Sequence, residues 1–317
     1  MSQLTCDAGA GLFGLGERPS AAVLINVASG LTDGPSPAVD AVVGRLSQHG
    51  IYPRVFMAGG GRLASALEAC RREPPDLLVV IGGDGTVLAA AEAFLDTKTA
   101  LAVVPAGTVN QLARDLGIPL DPLEAVAALA TGTPRSIDVG MVNGRAFLCT
   151  SVIGPLALLQ RYREEARGRV LASLASFVRT GLKALTLRPS RLALESGSRS
   201  WQQETRGVIV SVNPFSEVVS RVPQRASLDG GLLAVLAARE SGPFPLFRMA
   251  AAIVAGRARR DDAISYHEAA ELTVGSRRRR LVVLNDGEVR RLDTPLRFSV
   301  RRRALTVIGP ACDADSA

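Results

Sequence analysis

Hydrophobic positions along the chain fall into short, nearly continuous runs, separated by stretches whose apolar residues recur at helical spacing. The runs are "AVLINV" at 22–27, "IYPRVFM" at 51–57, "LLVVI" at 77–81 and "LAVVP" at 101–105. After the first of them, Val39, Val42, Val43 and Leu46 fall at i, i+3, i+4 and i+7. Ser36-Pro37 supplies an N-cap and a proline at the first helical position. Leu63, Leu67 and Cys70 mark a second helix, 86–95 a third, and segments near 108–116 and 121–131 two more, the last opened by Asp121-Pro122. Near-continuous apolar strands alternating with helices indicate a parallel sheet covered on both faces. Ligands of such sheets bind in the loops at the carboxyl ends of the strands.

The rhythm changes after about residue 135. "SIDVGMVNGRAFLCTSV" reads as two strands about Asn143-Gly144, a strong hairpin signal. An arginine-studded helical stretch at 156–187 follows, and then short apolar runs with turn residues between them, interrupted by one helix near 244–256. The predicted fold class is α/β: an N-terminal parallel-sheet, Rossmann-like nucleotide domain at 20–140 and a β-rich antiparallel second domain at 141–309. Residues 1–19 read as a flexible leader and 310–317 as a tail.

Composition narrows the class. With 47% hydrophobic residues and a mean hydropathy of +0.20, the chain has material for two real cores. No window approaches the ~18 uninterrupted apolar residues of a membrane span. The N-terminus lacks the basic and apolar regions of a signal peptide. Cys6, Cys70, Cys149 and Cys312 lie far apart without a CxxC pair, which fits a reducing cytoplasm. His49 and His267 are too few for a histidine metal cluster. The net charge of +7 is carried almost wholly by arginine, densest at Arg277–Arg280 and Arg301–Arg303. A basic surface attracts nucleotide phosphates, an anionic membrane or nucleic acid, and charge alone does not choose among them.

The third strand runs into Gly82-Gly83-Asp84-Gly85-Thr86. Glycines there free the backbone to bring its N–H groups close to a ligand, and a strand-to-helix loop aims those donors at an anion. No GxxxxGK[ST] occurs, so no lysine balances the phosphates. An aspartate beside phosphates would repel them unless a cation intervenes, which makes Asp84 a candidate Mg²⁺ partner, directly or through water. Its removal is expected to cost catalysis and leave stability almost untouched. Thr86 is placed to donate to a phosphate oxygen. The plain alternative is a turn in which Asp84 caps the next helix.

Two further small-residue loops lie at strand ends: "NVASG" at 26–30 and "PAGTVNQLARDLGIP" at 105–119. With "GGDGT", "SLDGGLLAV" and "LNDGEV", these resemble the diacylglycerol kinase catalytic domain family, relatives of the NAD kinases, over residues 20–309. The resemblance implies a two-domain lipid kinase with ATP in the cleft and the last strand packed back on the first domain. It implies ATP contacts from Asn26, Val27, Ala28, Ser29 and Gly30, from Gly82, Gly83, Asp84, Gly85 and Thr86, and from Thr108 and Asn110. It places the base that deprotonates the lipid hydroxyl on Asp286 or Glu288, and ATP and Mg²⁺ become the expected cofactors. Bottom-up, two carboxylates flanking a glycine can face one cleft, although Asp286-Gly287 is also an ordinary hairpin turn.

The sequence departs from the family pattern in two places. Gly230 stands where the family has an aspartate near a structural Mg²⁺, which leaves Asp229, one residue early, as the candidate ligand. Phe56 and Met57 replace a threonine after the second strand. The expected partners are a lipid substrate (diacylglycerol or a sphingoid or ceramide-type lipid) and an anionic membrane surface, with no nucleic acid. A homodimer is allowed. The membrane contact is expected at Arg161–Arg188 or, equally, that stretch packs between domains. An NAD kinase and a non-catalytic nucleotide- or nucleic-acid-binding protein are the alternatives.

Overall fold

The computed structural model describes residues 15, 19–26, 37–59, 61–154, 157, 188–220, 222–239 and 243–310. Val27 to Gly30 and, apart from Ala157, the helical stretch expected at 156–187 lie outside the described residues. The chain divides into two compact units, one of residues 1–137 with 303–317 and one of residues 138–302.

The first unit alternates strand and helix: β1 (Ala21–Asn26), α1 (Pro37–Gln48), β2 (Arg54–Ala58), α2 (Leu63–Arg72), β3 (Leu77–Gly82), α3 (Asp84–Phe94), β4 (Ala100–Pro105), α4 (Gln111–Asp115) and α5 (Pro122–Ala130). Its strands run parallel in the order β2-β1-β3-β4. Every residue of β3 and β4 is buried, as unbroken apolar runs require of strands covered on both faces. β2 is the edge strand, and its Val55 and Met57 are exposed. Asp121 caps α5 as its position before Pro122 predicts, accepting the backbone N–H groups of Leu123 at 2.9 Å and Glu124 at 3.0 Å. Strand order reverses between β1 and β3, since β2 lies on one side of β1 and β3 on the other. The carboxyl ends of those two strands are where a ligand of such a sheet binds.

The second unit is β-rich and antiparallel. One sheet has the order β12-β11-β10-β7-β14-β15, from β7 (Thr150–Ile153), β10 (Val208–Val212), β11 (Leu233–Ala238), β12 (Ile264–Ala269), β14 (Arg280–Asn285) and β15 (Glu288–Asp293). A second set pairs β9 (Arg199–Thr205), β8 (Ser190–Ser196), β13 (Glu271–Ser276) and the first part of β16 (Leu296–Gly309). β5 (Thr133–Val142) and β6 (Arg145–Phe147) form the hairpin predicted at Asn143-Gly144. The last part of β16 belongs to the first unit, where Val307 pairs with Leu101 of β4 in parallel.

β11 shows how an uninterrupted apolar run is used here. Leu233, Val235 and Ala237 enter one core with Phe147, Val210 and Phe298, while Ala234, Leu236 and Ala238 enter another with Met249 and Ile253 of α6 (Pro243–Val254). The strand's period of two divides the run between two cores, so neither set needs a polar face. Phe147 and Phe298 meet edge to face, with ring centroids 6.1 Å apart. Among the described residues, no helix is long and apolar enough to cross a membrane.

Candidate active site

β1 ends at Asn26, β3 at Gly82 and β4 at Pro105, so parallel pairing brings Asn26 and the polar loops after β3 and β4 to one edge of one sheet. Asn26 Nδ2 donates to Thr86 Oγ1 at 2.8 Å, tying the end of β1 to the first turn of α3. Thr86 is almost wholly buried, at 4% exposure, and its hydroxyl therefore holds Asn26 in place rather than projecting from the loop.

The β3 and β4 loops are locked to one another. Gly83 and Gly107 approach so closely that a Cβ on Gly107 would stand 2.6 Å from Gly83 Cα, which only glycine avoids. Asn110 takes the left-handed conformation at φ 53°. Its side chain turns back to Gly107, accepting the N–H at 2.9 Å and donating to the carbonyl at 2.8 Å. The side chain of Asn110 thus shapes its own loop, and the exposed residue at the tip is Thr108.

Asp84 joins the two loops. Its Oδ2 accepts the N–H of Asn110 at 3.0 Å and its Oδ1 the N–H of Gln111 at 2.7 Å. The N-cap of α3 is Gly83, so Asp84 does not cap the helix it begins but the start of α4 across the gap between loops. Burial raises its pKa above the usual carboxylate value, against the backbone N–H groups of Gln111, Asn110 and Asp84 itself, which lower it. A carboxylate offers about four lone-pair sites, so these N–H donors leave acceptor capacity with which the group still fits a cation. Gln111 and Gly107 are the residues of this site that motif reading passed over. Their parts are played by backbone N–H and by the absence of a Cβ, which no side-chain pattern signals.

In the second unit, Asp286 and Gly287 form the β14–β15 turn with φ of 45° and 94°, both left-handed as a tight hairpin demands. The Asp286 carboxylate enters a cluster of three backbone donors between β6 and β7. Oδ1 accepts from Cys149 at 2.9 Å and Thr150 at 2.8 Å, and Oδ2 from Leu148. Burial pushes its pKa up to about 6, while the three N–H groups and Arg225 pull it down. Beneath the turn, the buried Asn285 accepts the Ser151 hydroxyl at 2.7 Å. Glu288 has a different setting: its side chain is 42% exposed and takes the guanidinium of Arg290 at 3.0 Å. The two carboxylates share the hairpin but no partner. One is held by backbone donors and shifted, the other more open and ion-paired.

The profile of the diacylglycerol kinase catalytic domain matches residues 20–142, and that of the YegS C-terminal NAD kinase beta sandwich-like domain matches residues 159–309. A diacylglycerol kinase of Bacillus subtilis is 30% identical over 219 residues, covering 68% of this chain and 72% of the relative. The chain belongs to the diacylglycerol kinase family of lipid kinases. A YegS-like lipid kinase of Pseudomonas aeruginosa is 41% identical over 107 residues, covering 33% of this chain and 35% of its own. The crystal structure of a diacylglycerol kinase from Bacillus anthracis shares the fold at a TM-score of 0.71 and 20% identity, over 92% of this chain and 96% of that one.

Within this lipid kinase, the loop around Asp229 is closed by protein groups. Asp229 Oδ1 accepts the Ser227 hydroxyl at 2.8 Å, and Gly230 offers no side chain. The buried Asp138 secures the loop instead: Oδ2 accepts the Gly231 N–H at 2.6 Å and the Asn213 amide at 3.1 Å, and its own N–H donates to the Leu228 carbonyl at 2.7 Å. Among the described residues, no three His, Cys, Asp or Glu side chains gather as a metal site. The donors present fit a hydrogen-bonded loop better than a cation. A signal for Asp138 did exist: a lone acid within a strand of apolar residues must be satisfied by internal partners.

Proposed function

We propose that this kinase transfers the γ-phosphoryl group of ATP, with Mg²⁺, to a hydroxyl of diacylglycerol or of a sphingoid or ceramide-type lipid. The observation that carries the reading is the edge of the parallel sheet, where the glycine loops after β3 and β4 are joined through Asp84 beside Asn26. Loops built of glycine and backbone N–H suit phosphates, and an acid among them with acceptor capacity to spare suits a metal–phosphate complex. Asp84 would hold Mg²⁺, which when bound offsets the phosphate charge. Thr86 keeps Asn26 oriented toward the nucleotide, and Asn110 and Gly107 keep the β4 loop open for Thr108.

Asp286 takes the acceptor's proton. Its pKa of about 6 leaves it ionised at neutral pH yet basic enough to accept a proton, where a general base works best. Oδ2 keeps one lone pair beyond the Leu148 N–H for this purpose. The lipid oxygen bonds to the γ-phosphorus, its proton passes to Asp286, and the bond between that phosphorus and the β–γ bridging oxygen breaks to leave ADP. Glu288 orients the acceptor from the open side of the hairpin. Incubation with γ-labelled ATP and a mixed lipid extract, with and without Mg²⁺, tests the reading. Label is expected in an organic-soluble lipid phosphate only when Mg²⁺ is present; label carried by NAD, or by no lipid, sinks it.

A further inference from the structure

Three turns of the second unit meet at one end of its sheets. The Thr294 hydroxyl donates to the Arg278 carbonyl at 2.7 Å, and its N–H to the Arg279 carbonyl at 2.9 Å, binding the β13–β14 turn to the β15–β16 connection. Asn143, in the β5–β6 turn, donates its side-chain amide to the Asp293 carbonyl at 2.8 Å and accepts the Arg297 N–H at 2.8 Å. The backbone at this end is therefore fixed by hydrogen bonds. It carries Arg145, Arg277, Arg278, Arg279, Arg280 and Arg297, all exposed. Asp293 is the sole acid in the three segments, and Arg280 occupies it at 2.8 Å. Arg145, Arg277, Arg278 and Arg297 have no side-chain partner among the described residues. The net charge of the three segments is +5.

We propose that this arginine-capped end docks the kinase on an anionic phospholipid surface. The inference rests on the chain being a lipid kinase, whose acceptor resides in a bilayer, and on charge complementarity. Guanidinium groups on a rigid base suit phosphate esters, since the turns lose little entropy when their side chains engage. None of the three segments contains an aromatic residue, and Phe147 and Phe298 beside them are buried, so the platform on which single-stranded bases stack is missing. The patch lies outside residues 161–188, where the sequence alone suggested the membrane contact.

Vesicle flotation tests this without requiring catalysis, so it is separable from the assignment of ATP and acceptor. The full chain is expected to float with phosphatidylcholine vesicles containing phosphatidylglycerol and not with phosphatidylcholine alone. Added salt should weaken the binding. The triple variant Arg277→Ala/Arg278→Ala/Arg279→Ala should bind the anionic vesicles about 10²-fold more weakly. The same variant should melt like the wild type and phosphorylate lipid in neutral detergent micelles at the wild-type rate. Unchanged vesicle binding by the triple variant overturns the proposal. So does equal binding to neutral and anionic vesicles, or tighter binding of a single-stranded oligonucleotide that the variant loses.

Discussion

The carboxylate of Asp84 accepts the backbone N–H of Gln111 at 2.7 Å, so the acid best suited to a metal also fastens the loop after β3 to the loop after β4. A residue that fastens two loops and would also hold a metal cannot be removed for chemistry alone. These hydrogen bonds argue against the expectation that its loss leaves stability untouched.

Replacement of Asp84 by asparagine should therefore lower transfer and stability together. Asparagine keeps one acceptor oxygen, but its NH₂ group would face a backbone N–H now served by carboxylate oxygen. Transfer should fall by ~10² or more through the lost charge at the metal–phosphate site. Chemical denaturation should show a loss of about 1–2 kcal/mol, the cost of stranding one partly buried donor. A variant with wild-type kinetics but the same loss of stability would leave Asp84 a purely structural clamp.

Thr86→Val separates orientation from packing. Valine fills nearly the same volume but removes the acceptor of the Asn26 amide, a bond of 2.8 Å. KM for ATP should rise about 10-fold, from loss of roughly 1–1.5 kcal/mol of positioning, with little change in kcat. An unchanged KM would show that Asn26 needs no anchor. Steady-state kinetics at saturating lipid makes the measurement.

Asp286 ties activity to pH. Its folded-state pKa of about 6 lies above the 3.8 of an unperturbed aspartate. The protonated form is thus favoured by folding, and stability falls as pH rises from about 4 through about 6. That loss amounts to about 3 kcal/mol. Activity should move the opposite way, rising as pH passes through about 6, because only the ionised carboxylate takes a proton. Asp286→Asn should abolish the rise and most of the transfer, with nucleotide affinity measured by calorimetry little changed. A variant that retains the wild-type pH profile would remove Asp286 from the role of base.

Much of this could be read in the chain. The four parallel strands, all but the edge strand β2 buried, and the Asp121-Pro122 helix start are local patterns, and the sequence states them directly. "GGDGT" and "LNDGEV" point to loops at strand ends, which is where β3 and β14 place them, because glycine and acid residues there have few other uses. What the chain withheld were the partners of those loops. Gly107 acts through a missing side chain, Gln111 through its backbone, and Leu148, Cys149 and Thr150 through three N–H groups 136 to 138 residues away from the acid they hold. Backbone donors have no residue-type signature, and long-range pairing decides which of them converge.

Metal removal should leave the second unit intact. In the loop at Ser227–Leu232, Asp229 turns to its neighbour Ser227, while the buried Asp138 accepts both the Gly231 N–H and the Asn213 amide. Those bonds do the work that a cation would otherwise supply, and chelation should take nothing from them. Thermal melts of the ATP-free protein in EDTA and in excess Mg²⁺ should therefore superimpose in the transition reporting on Trp201, the lone tryptophan, on β9 of this unit. Asp138→Ala should lower stability by about 2–4 kcal/mol, because two buried donors lose their acceptor together. Asp229→Ala, at a partly exposed position bonded to the Ser227 hydroxyl, should cost less, under about 1 kcal/mol. A melt that rises with Mg²⁺ in the wild type and not in Asp229→Ala would place a cation in this loop after all, and would reduce Asp138 to a bystander.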